Sequence, residues 1–238
     1  MNEYAIRRKT APYPVVLRLD GPDKVFFTAD THFGDEKVLR LSSRPFSSVK
    51  EMDDELIKRW NETVPEDGIV FHLGDFGFGK YKYSMVHKLI RSLHGTKYLI
   101  LGNHDQQCIC RGHASRFESV SQQMIINVVG QRIILNHYPL LCFPDETKKN
   151  VWQLFGHVHS GPRAKGTDIP RLKYLLPRQY DVGVDNNDYR PVSFYQLREY
   201  FNEEDELQNI VAEAGNEARI EYKKARDTIA ANLEQVLE

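Results

Sequence analysis

The sequence predicts an α/β fold built around a mostly parallel sheet. Between residues 25 and 101, short β-forming runs alternate with stretches of helical periodicity, the pattern of parallel strands joined by crossover helices. From residue 124 the pattern changes to closely spaced strands joined by a turn. Asp, His and Asn residues collect directly after the strands, where open sheets gather their ligands.

The first residues, 1–24, read as irregular, apart from a candidate strand at Val15 to Leu19 followed by the turn pair Gly21-Pro22. Val25 to Ala29 is a run of β-formers with the character of a buried strand. A turn-prone stretch follows, then a helix from Val49 to Asn61, whose apolar Met52, Leu56 and Trp60 recur at every fourth position. Ile69 to Leu73 is the next strand. Residues 81–92 read as a helix with Met85 and Leu89 on one face, and Lys97 to Leu101 as a third strand. Met124 to Val129, the Gly130-Gln131 turn and Arg132 to Leu135 form a hairpin pattern. Val151 to Phe155, Asp181 to Val184 and Pro191 to Phe194 complete the strands. From about Leu207 apolar residues step by three and four to Val236, which predicts an amphipathic helix packed on its own domain or serving an oligomer contact.

Composition narrows the function classes. The chain has 238 residues and a formal net charge of −1, so no whole-molecule field favours nucleic acid or a membrane. No run has the length and apolarity of a membrane span, and the N-terminal stretch lacks a signal-peptide core. Three cysteines, Cys108, Cys110 and Cys142, form no even disulfide framework and point to a reducing, cytoplasmic compartment.

Five segments carry the chemistry, in order: Asp30-Thr31-His32, Gly74-Asp75, Gly102-Asn103-His104-Asp105, His137 and Gly156-His157-Val158-His159. Each alone is weak, since a lone D-x-H or Gly-Asp is usually a turn or a structural contact. Their joint occurrence at strand ends points to a shared polar target, for which a pair of divalent cations is the simplest choice. Carboxylate, imidazole and amide oxygen together suit Mn²⁺, with Fe, Zn or Ni as alternatives. Two cations about 3.5–4 Å apart can share a carboxylate and activate a hydroxide between them.

The series resembles the calcineurin-like metallophosphoesterase superfamily, with its D-x-H, G-D, G-N-H-[DE], H and G-H-x-H motifs. The resemblance runs from residue 25 to about 195. Residues 27–46, ending in Arg44-Pro45-Phe46, and Val182-Gly183-Val184-Asp185 with Tyr189-Arg190-Pro191-Val192 are similar to a bacterial and phage branch of small phosphoesterases. This likeness implies two facing mixed β-sheets flanked by helices, a four-layer αββα sandwich. Residues 1–200 would be the phosphoesterase domain and 201–238 a C-terminal helical extension. It also implies that Asp30, His32 and His159 hold one metal, that Asn103, His137 and His157 hold the other, and that Asp75 bridges them. His104 would be the non-ligand catalytic histidine near the leaving group, with Asp105 beside it either tuning the site or capping its loop. The reaction would be attack on a phosphate ester by a metal-bridging hydroxide.

Two departures sharpen this expectation. Protein phosphatases of the superfamily extend the second motif to G-D-x-x-D-R-G, whereas here Asp75 is followed by Phe76-Gly77-Phe78-Gly79-Lys80. A phosphodiesterase is therefore preferred, ahead of a phosphomonoesterase or nucleotide pyrophosphatase. The first motif continues as Gly34-Asp35, which puts a carboxylate at the mouth, able to repel an anion or bind a cation. Arg44 is the candidate contact for a substrate phosphate, with a structural salt bridge as the alternative. Arg111, Arg163, Lys165 and Arg190 read as surface residues, and His72 as a satisfied strand histidine. His87, His94 and His113 read as exposed. Phe76, Phe78 and Tyr138 could stack on a nucleobase, with core packing the alternative for the phenylalanines. A nuclease would need a basic stripe, whereas Arg7-Arg8-Lys9, Lys148-Lys149 and the 163–173 cations are short and scattered. A scaffold that has lost catalysis would lack His104. The expected partners are a phosphate-ester substrate, such as a nucleotide, and a second copy of the chain through its C-terminal helix.

Overall fold

The computed structural model describes residues 16–77, 83–105 and 113–202. Cys108, Cys110, Arg111, Phe78, the basic run at 7–9 and the helical pattern beyond 202 lie outside these residues, as does the side chain of His113. The chain divides into two compact units, 1–194 and 195–238. In the second, residues 195–202 are helical.

The first unit holds two five-stranded mixed sheets flanked by helices, as expected. One sheet has the order β10-β2-β3-β4-β5, with β2 (Val25–Thr28), β3 (Ile69–His72), β4 (Thr96–Ile100) and β5 (Ser119–Ser121) parallel and β10 (Val192–Ser193) antiparallel at the edge. The other has the order β1-β6-β7-β8-β9. Here β6 (Gln123–Val128) and β7 (Gln131–Asn136) form the antiparallel hairpin, while β1 (Leu17–Leu19), β8 (Val151–Phe155) and β9 (Gln179–Asp181) pair in parallel.

The first sheet is buried on both faces, which is why β2 and β3 read as continuous apolar runs. On one face Phe27, Phe71 and Tyr98 lie in register and stack, with ring centroids 5.7 and 4.9 Å apart. The other face presents Phe26, Val70 and Leu99 to the helices. Helix α2 (Val49–Thr63) buries Met52, Leu56 and Trp60, the stripe of its sequence, together with Asp53. Its N-cap Ser48 accepts the Glu51 amide. Helix α3 (Tyr83–Ser92) adds Val86, Leu89 and Ile90 to the same core.

One helix and one strand had no sequence signal, and β9 ends at Asp181, where the run expected at Asp181 to Val184 begins. Helix α1 (Glu36–Leu41) has six residues, too few for a periodic stripe, and is started by Asp35, whose carboxylate accepts the Lys37 amide at 2.9 Å. Strand β5 reads Ser-Val-Ser and takes its conformation from pairing with β4 rather than from propensity. Among the described residues, no helix is long and apolar enough to cross a membrane.

Trp60 is 1 % exposed and donates its indole N–H to the His94 carbonyl at 3.1 Å. Trp60→Ala should lower unfolding free energy by about 3–5 kcal/mol, read from the urea midpoint at unchanged slope.

Candidate metal centre

All five motif segments leave the carboxyl ends of strands and meet at one place. Asp30 and His32 follow β2, Asp75 follows β3, and Asn103 to Asp105 follow β4. His137 follows β7, and His157 and His159 follow β8. Backbone hydrogen bonds knit the loops together: Asp30 N–H to Gly74 O (2.9 Å), His32 N–H to Asp75 O (3.0 Å) and Gly156 N–H to His137 O (2.9 Å).

The ligand-bearing backbone is unusual. Asp30, His32, Asp75, His157 and His159 all have left-handed φ values, between 49° and 71°. Each such conformation costs on the order of 1–3 kcal/mol and persists only where its surroundings over-determine it. Two glycines make the crowding feasible. A Cβ on Gly102 would stand 2.2 Å from Asp75 Oδ1, and one on Gly156 would stand 2.5 Å from Asp30 Oδ2.

The side chains form two groups, Asp30–His32–His159 and Asp75–His137–His157, each with its ligand atoms within 4.8 Å of one another. Asp75 Oδ2 joins them: it is 3.5 Å from His32 Nε2 and 3.5 Å from His137 Nε2. The tautomers follow from the outer partners. His137 Nδ1 donates to the Leu73 carbonyl at 2.7 Å, so Nε2 carries a lone pair. That lone pair faces Asn103 Oδ1 at 3.1 Å and the Asp75 carboxylate, acceptor against acceptor. His159 Nδ1 donates to Asp185 Oδ2 at 2.8 Å, which turns its Nε2 toward Asp30 Oδ1, 3.9 Å away.

The donor set fits cations. Asp30 Oδ1 and both ring nitrogens of His32 are buried without a hydrogen-bond partner among the described residues. Burial holds the imidazoles of His32 and His137 down at about 4, so both are neutral near pH 7, the form that can bind a cation. Burial, with Asp181, Asp75 and Asp185 nearby, pushes the Asp30 carboxyl well above its ordinary value despite His159. Acceptors crowded in this way are costly unless a positive charge sits among them.

His104 stands apart. Its amide donates to Asp75 Oδ1 at 2.8 Å, while its side chain is 58 % exposed with Nε2 4.0 Å from Asp75 Oδ2. Its ring meets His32 edge-on at 5.2 Å.

For several other residues the geometry favours one of the readings the sequence left open or departs from the one it gave. Asp105 is fully buried and accepts three backbone amides: Asp75 (2.7 Å), Gly102 (2.8 Å) and Phe76 (3.0 Å). It caps two loops, the alternative reading of this carboxylate. Arg44 is equally removed from solvent, with its guanidinium bound to Asp185 and to the Asp30 and Thr31 carbonyls. The ion pair, not a substrate contact, is what its geometry provides. Asp35 caps α1 and lies 3.5 Å from His32 Nδ1, which with that imidazole as the main cause holds its carboxyl down at about 2. His72 is only half satisfied: Nε2 meets Thr31 Oγ1 at 3.0 Å, and Nδ1 has no partner among the described residues. Burial keeps it neutral, at about 3. His94 is half-buried, with Nδ1 2.9 Å from the Val64 carbonyl. Phe76 is core, whereas Tyr138 is 43 % exposed and its ring contacts His137 and His157.

Sequence reasoning missed Asp181, which accepts the amides of Gly183 (2.7 Å) and Ser160 (3.1 Å), and Asp53, which accepts that of Gly34 (3.1 Å). Neither carries a spacing signal: Asp53 reaches a loop 19 positions away, and Asp181 joins the amide two residues on to one 21 positions back. A cavity of about 290 Å³ lies at the opposite end of β7 and β8 from the metal centre. There Arg132 and Lys148 both pair with Asp145, at 2.9 and 2.8 Å.

The comparisons agree with this architecture. The calcineurin-like phosphoesterase family matches residues 23–213. An uncharacterized protein of Methanocaldococcus jannaschii is 29 % identical over 172 residues, covering 71 % of this chain and 86 % of that protein. The Gene 66 protein of Mycobacterium phage L5 is 31 % identical over 186 residues, covering 67 % and 86 % respectively. The crystal structure of a protein of unknown function from Aquifex aeolicus shares the fold with a TM-score of 0.58 at 23 % identity, covering 74 % of this chain and 98 % of that one.

Asp105→Ala would strand three buried amides, each costing on the order of 1–3 kcal/mol. It should therefore lower the stability of metal-free protein by several kcal/mol. His104→Ala, at an exposed position, should stay within about 0.5 kcal/mol of wild type. Chemical denaturation of the two variants side by side checks the contrast.

Proposed function

This chain belongs to the calcineurin-like phosphoesterase family, and from that premise we propose that it is a dinuclear metal-dependent phosphodiesterase. Membership itself implies metal-dependent hydrolysis of a phosphate ester. Asp30, His32 and His159 would hold one cation, and Asn103, His137 and His157 the other, with Asp75 serving both. The observation that carries the dinuclear reading is the place of Asp75 Oδ2, at 3.5 Å from a ring nitrogen of each group. Mn²⁺ is the preferred ion, since the set mixes carboxylate, imidazole and amide oxygen; Fe, Zn and Ni are the alternatives.

When bound, such a pair lowers the pKa of water and neutralises phosphate oxygens. The protein supplies the rest. His104 reaches into solvent beside the centre and would donate a proton to the departing oxygen. Tyr138, exposed beside His137 and His157, offers an aromatic surface for a nucleobase or aryl group of the substrate. Asp105 acts on chemistry only by holding the Asp75 and Gly102 backbones. The diester preference rests on the second motif, which lacks the additional Asp and Arg of the protein phosphatases. The odd number of cysteines, with Cys142 exposed and unpaired among the described residues, supports a reducing compartment and hence the cytoplasm. The same reading keeps residues 1–200 as the catalytic domain and 201–238 as an extension available for self-association.

With Mn²⁺ supplied, turnover of bis-p-nitrophenyl phosphate should exceed that of p-nitrophenyl phosphate; the reverse order would make the enzyme a monoesterase. His104→Ala should retain both metals and lose about 10²–10⁴-fold in rate on esters with poor leaving groups. Asp75→Asn should weaken both metal sites together, and loss of a single ion by elemental analysis would contradict a shared carboxylate.

A further inference from the structure

We infer that the buried Arg44–Asp185 ion pair is the positioning device for one half of the metal centre, so that this half can be emptied while the other stays filled. The inference rests on the dinuclear reading above and assigns residues that no part of that reading uses.

The geometry is closed on itself. A guanidinium has five N–H donors, and in Arg44 each has an acceptor inside the protein. Nε donates to Asp185 Oδ1 at 2.9 Å, and Nη2 to Asp185 Oδ2 at 2.8 Å and the Asp30 carbonyl at 2.6 Å. Nη1 donates to the Thr31 carbonyl at 3.0 Å and the Met52 sulfur at 3.4 Å. The Arg44 side chain is 0 % exposed and that of Asp185 6 %. No donor remains to greet a substrate.

What the pair touches is selective. Asp185 Oδ2 accepts a hydrogen bond from His159 Nδ1–H at 2.8 Å, with Ser42 Oγ at 3.1 Å from the same nitrogen. The other side of Arg44 fixes the carbonyls of Asp30 and Thr31, the residues immediately before His32. The pair therefore holds Asp30, His32 and His159, all three members of one group. The rings of the second group have neighbours of their own: His137 Nδ1 donates to the Leu73 carbonyl at 2.7 Å, and His157 Nε2 lies 3.6 Å from Asp168 Oδ2, while the link between the groups is made by backbone, the His157 amide donating to Asp30 Oδ2 at 2.9 Å.

The chemistry explains why both partners are present. A carboxylate behind an imidazole fixes its tautomer and raises its basicity toward a metal. A second unpaired carboxylate so close to Asp30 would add repulsion in a buried place. Arg44 neutralises Asp185 and uses its fork for the loop that presents Asp30. This also accounts for two sequence segments, Arg44-Pro45-Phe46 and 182–185, that lie 141 positions apart at the residues they join.

The test uses full-length protein loaded with Mn²⁺, read by elemental analysis, metal titration and electron paramagnetic resonance. Wild type should hold two ions with the exchange-coupled signal of a pair. Asp185→Asn should keep one ion at wild-type affinity and bind the other about 10–100-fold more weakly, with the coupled signal replaced by that of isolated Mn²⁺. Because Asp185→Asn leaves a buried arginine without its partner, the double variant Arg44→Met/Asp185→Leu, which removes both charges, is measured beside it. A folded double variant with the same one-ion state supports the inference. Two tightly held ions in either folded variant, or equal weakening at both sites, overturns it. A wild-type protein that holds fewer than two ions overturns the dinuclear reading itself.

Discussion

The structure turns on a crowd of buried carboxylate, imidazole and amide groups turned toward one another. Two buried carboxylates, four imidazoles and an amide oxygen converge within a few ångströms, and several of their atoms have no hydrogen-bond partner among the described residues. In a metal-free interior such an arrangement is repulsive and poorly solvated. Much of the surrounding construction keeps it in place. Each acceptor oxygen that can be satisfied from behind is satisfied by backbone: Asp30 Oδ2 by the His157 amide and Asp75 Oδ1 by the His104 amide. The faces turned inward are left bare, as a cation requires.

The sheets make this affordable by carrying the loops to one edge in fixed register. Parallel strands β2, β3 and β4 end side by side, and the loops that leave them exchange hydrogen bonds before they diverge. The left-handed turns at Asp30, His32, Asp75, His157 and His159 aim alternate side chains at the same point. An ordinary strand extension would send Asp30 and His32 to one face of the sheet, but not into contact with a carboxylate from the neighbouring loop. Gly102 and Gly156 matter because the carboxylates occupy the space a Cβ would need.

A second layer of buried charge supports the first, and it differs in kind. Asp105, Asp181 and Asp185 all lie within the protein and all have their oxygens occupied by donors. They act as anchors for loops and rings, whereas Asp30 and Asp75 keep oxygens open toward the centre. The distinction follows from which atoms face the carboxylate, so buried acidic residues of one type can have opposite uses. Arg44 belongs to the anchoring layer for the same reason: its full set of donors is consumed inside the molecule.

The sequence by itself determined the sheet-forming runs, the stripe of α2 and the gathering of metal-binding residue types after the strands, because these depend on local propensity and periodicity. Its limits were equally local: α1 was too short to show a stripe, and β5 too polar to show a strand. Only the tertiary structure decided which of the polar residues face the centre and which hold it. Asp105 and His104 are neighbours in the chain, yet one is sealed among amides and the other reaches solvent. Arg44 and Asp185 carry no mutual signal along the sequence, since their pairing exists only after two distant loops have been brought together and cut off from water. Residue type and spacing are properties of the chain, but the direction of a lone pair is set by the atoms that surround it in the folded protein.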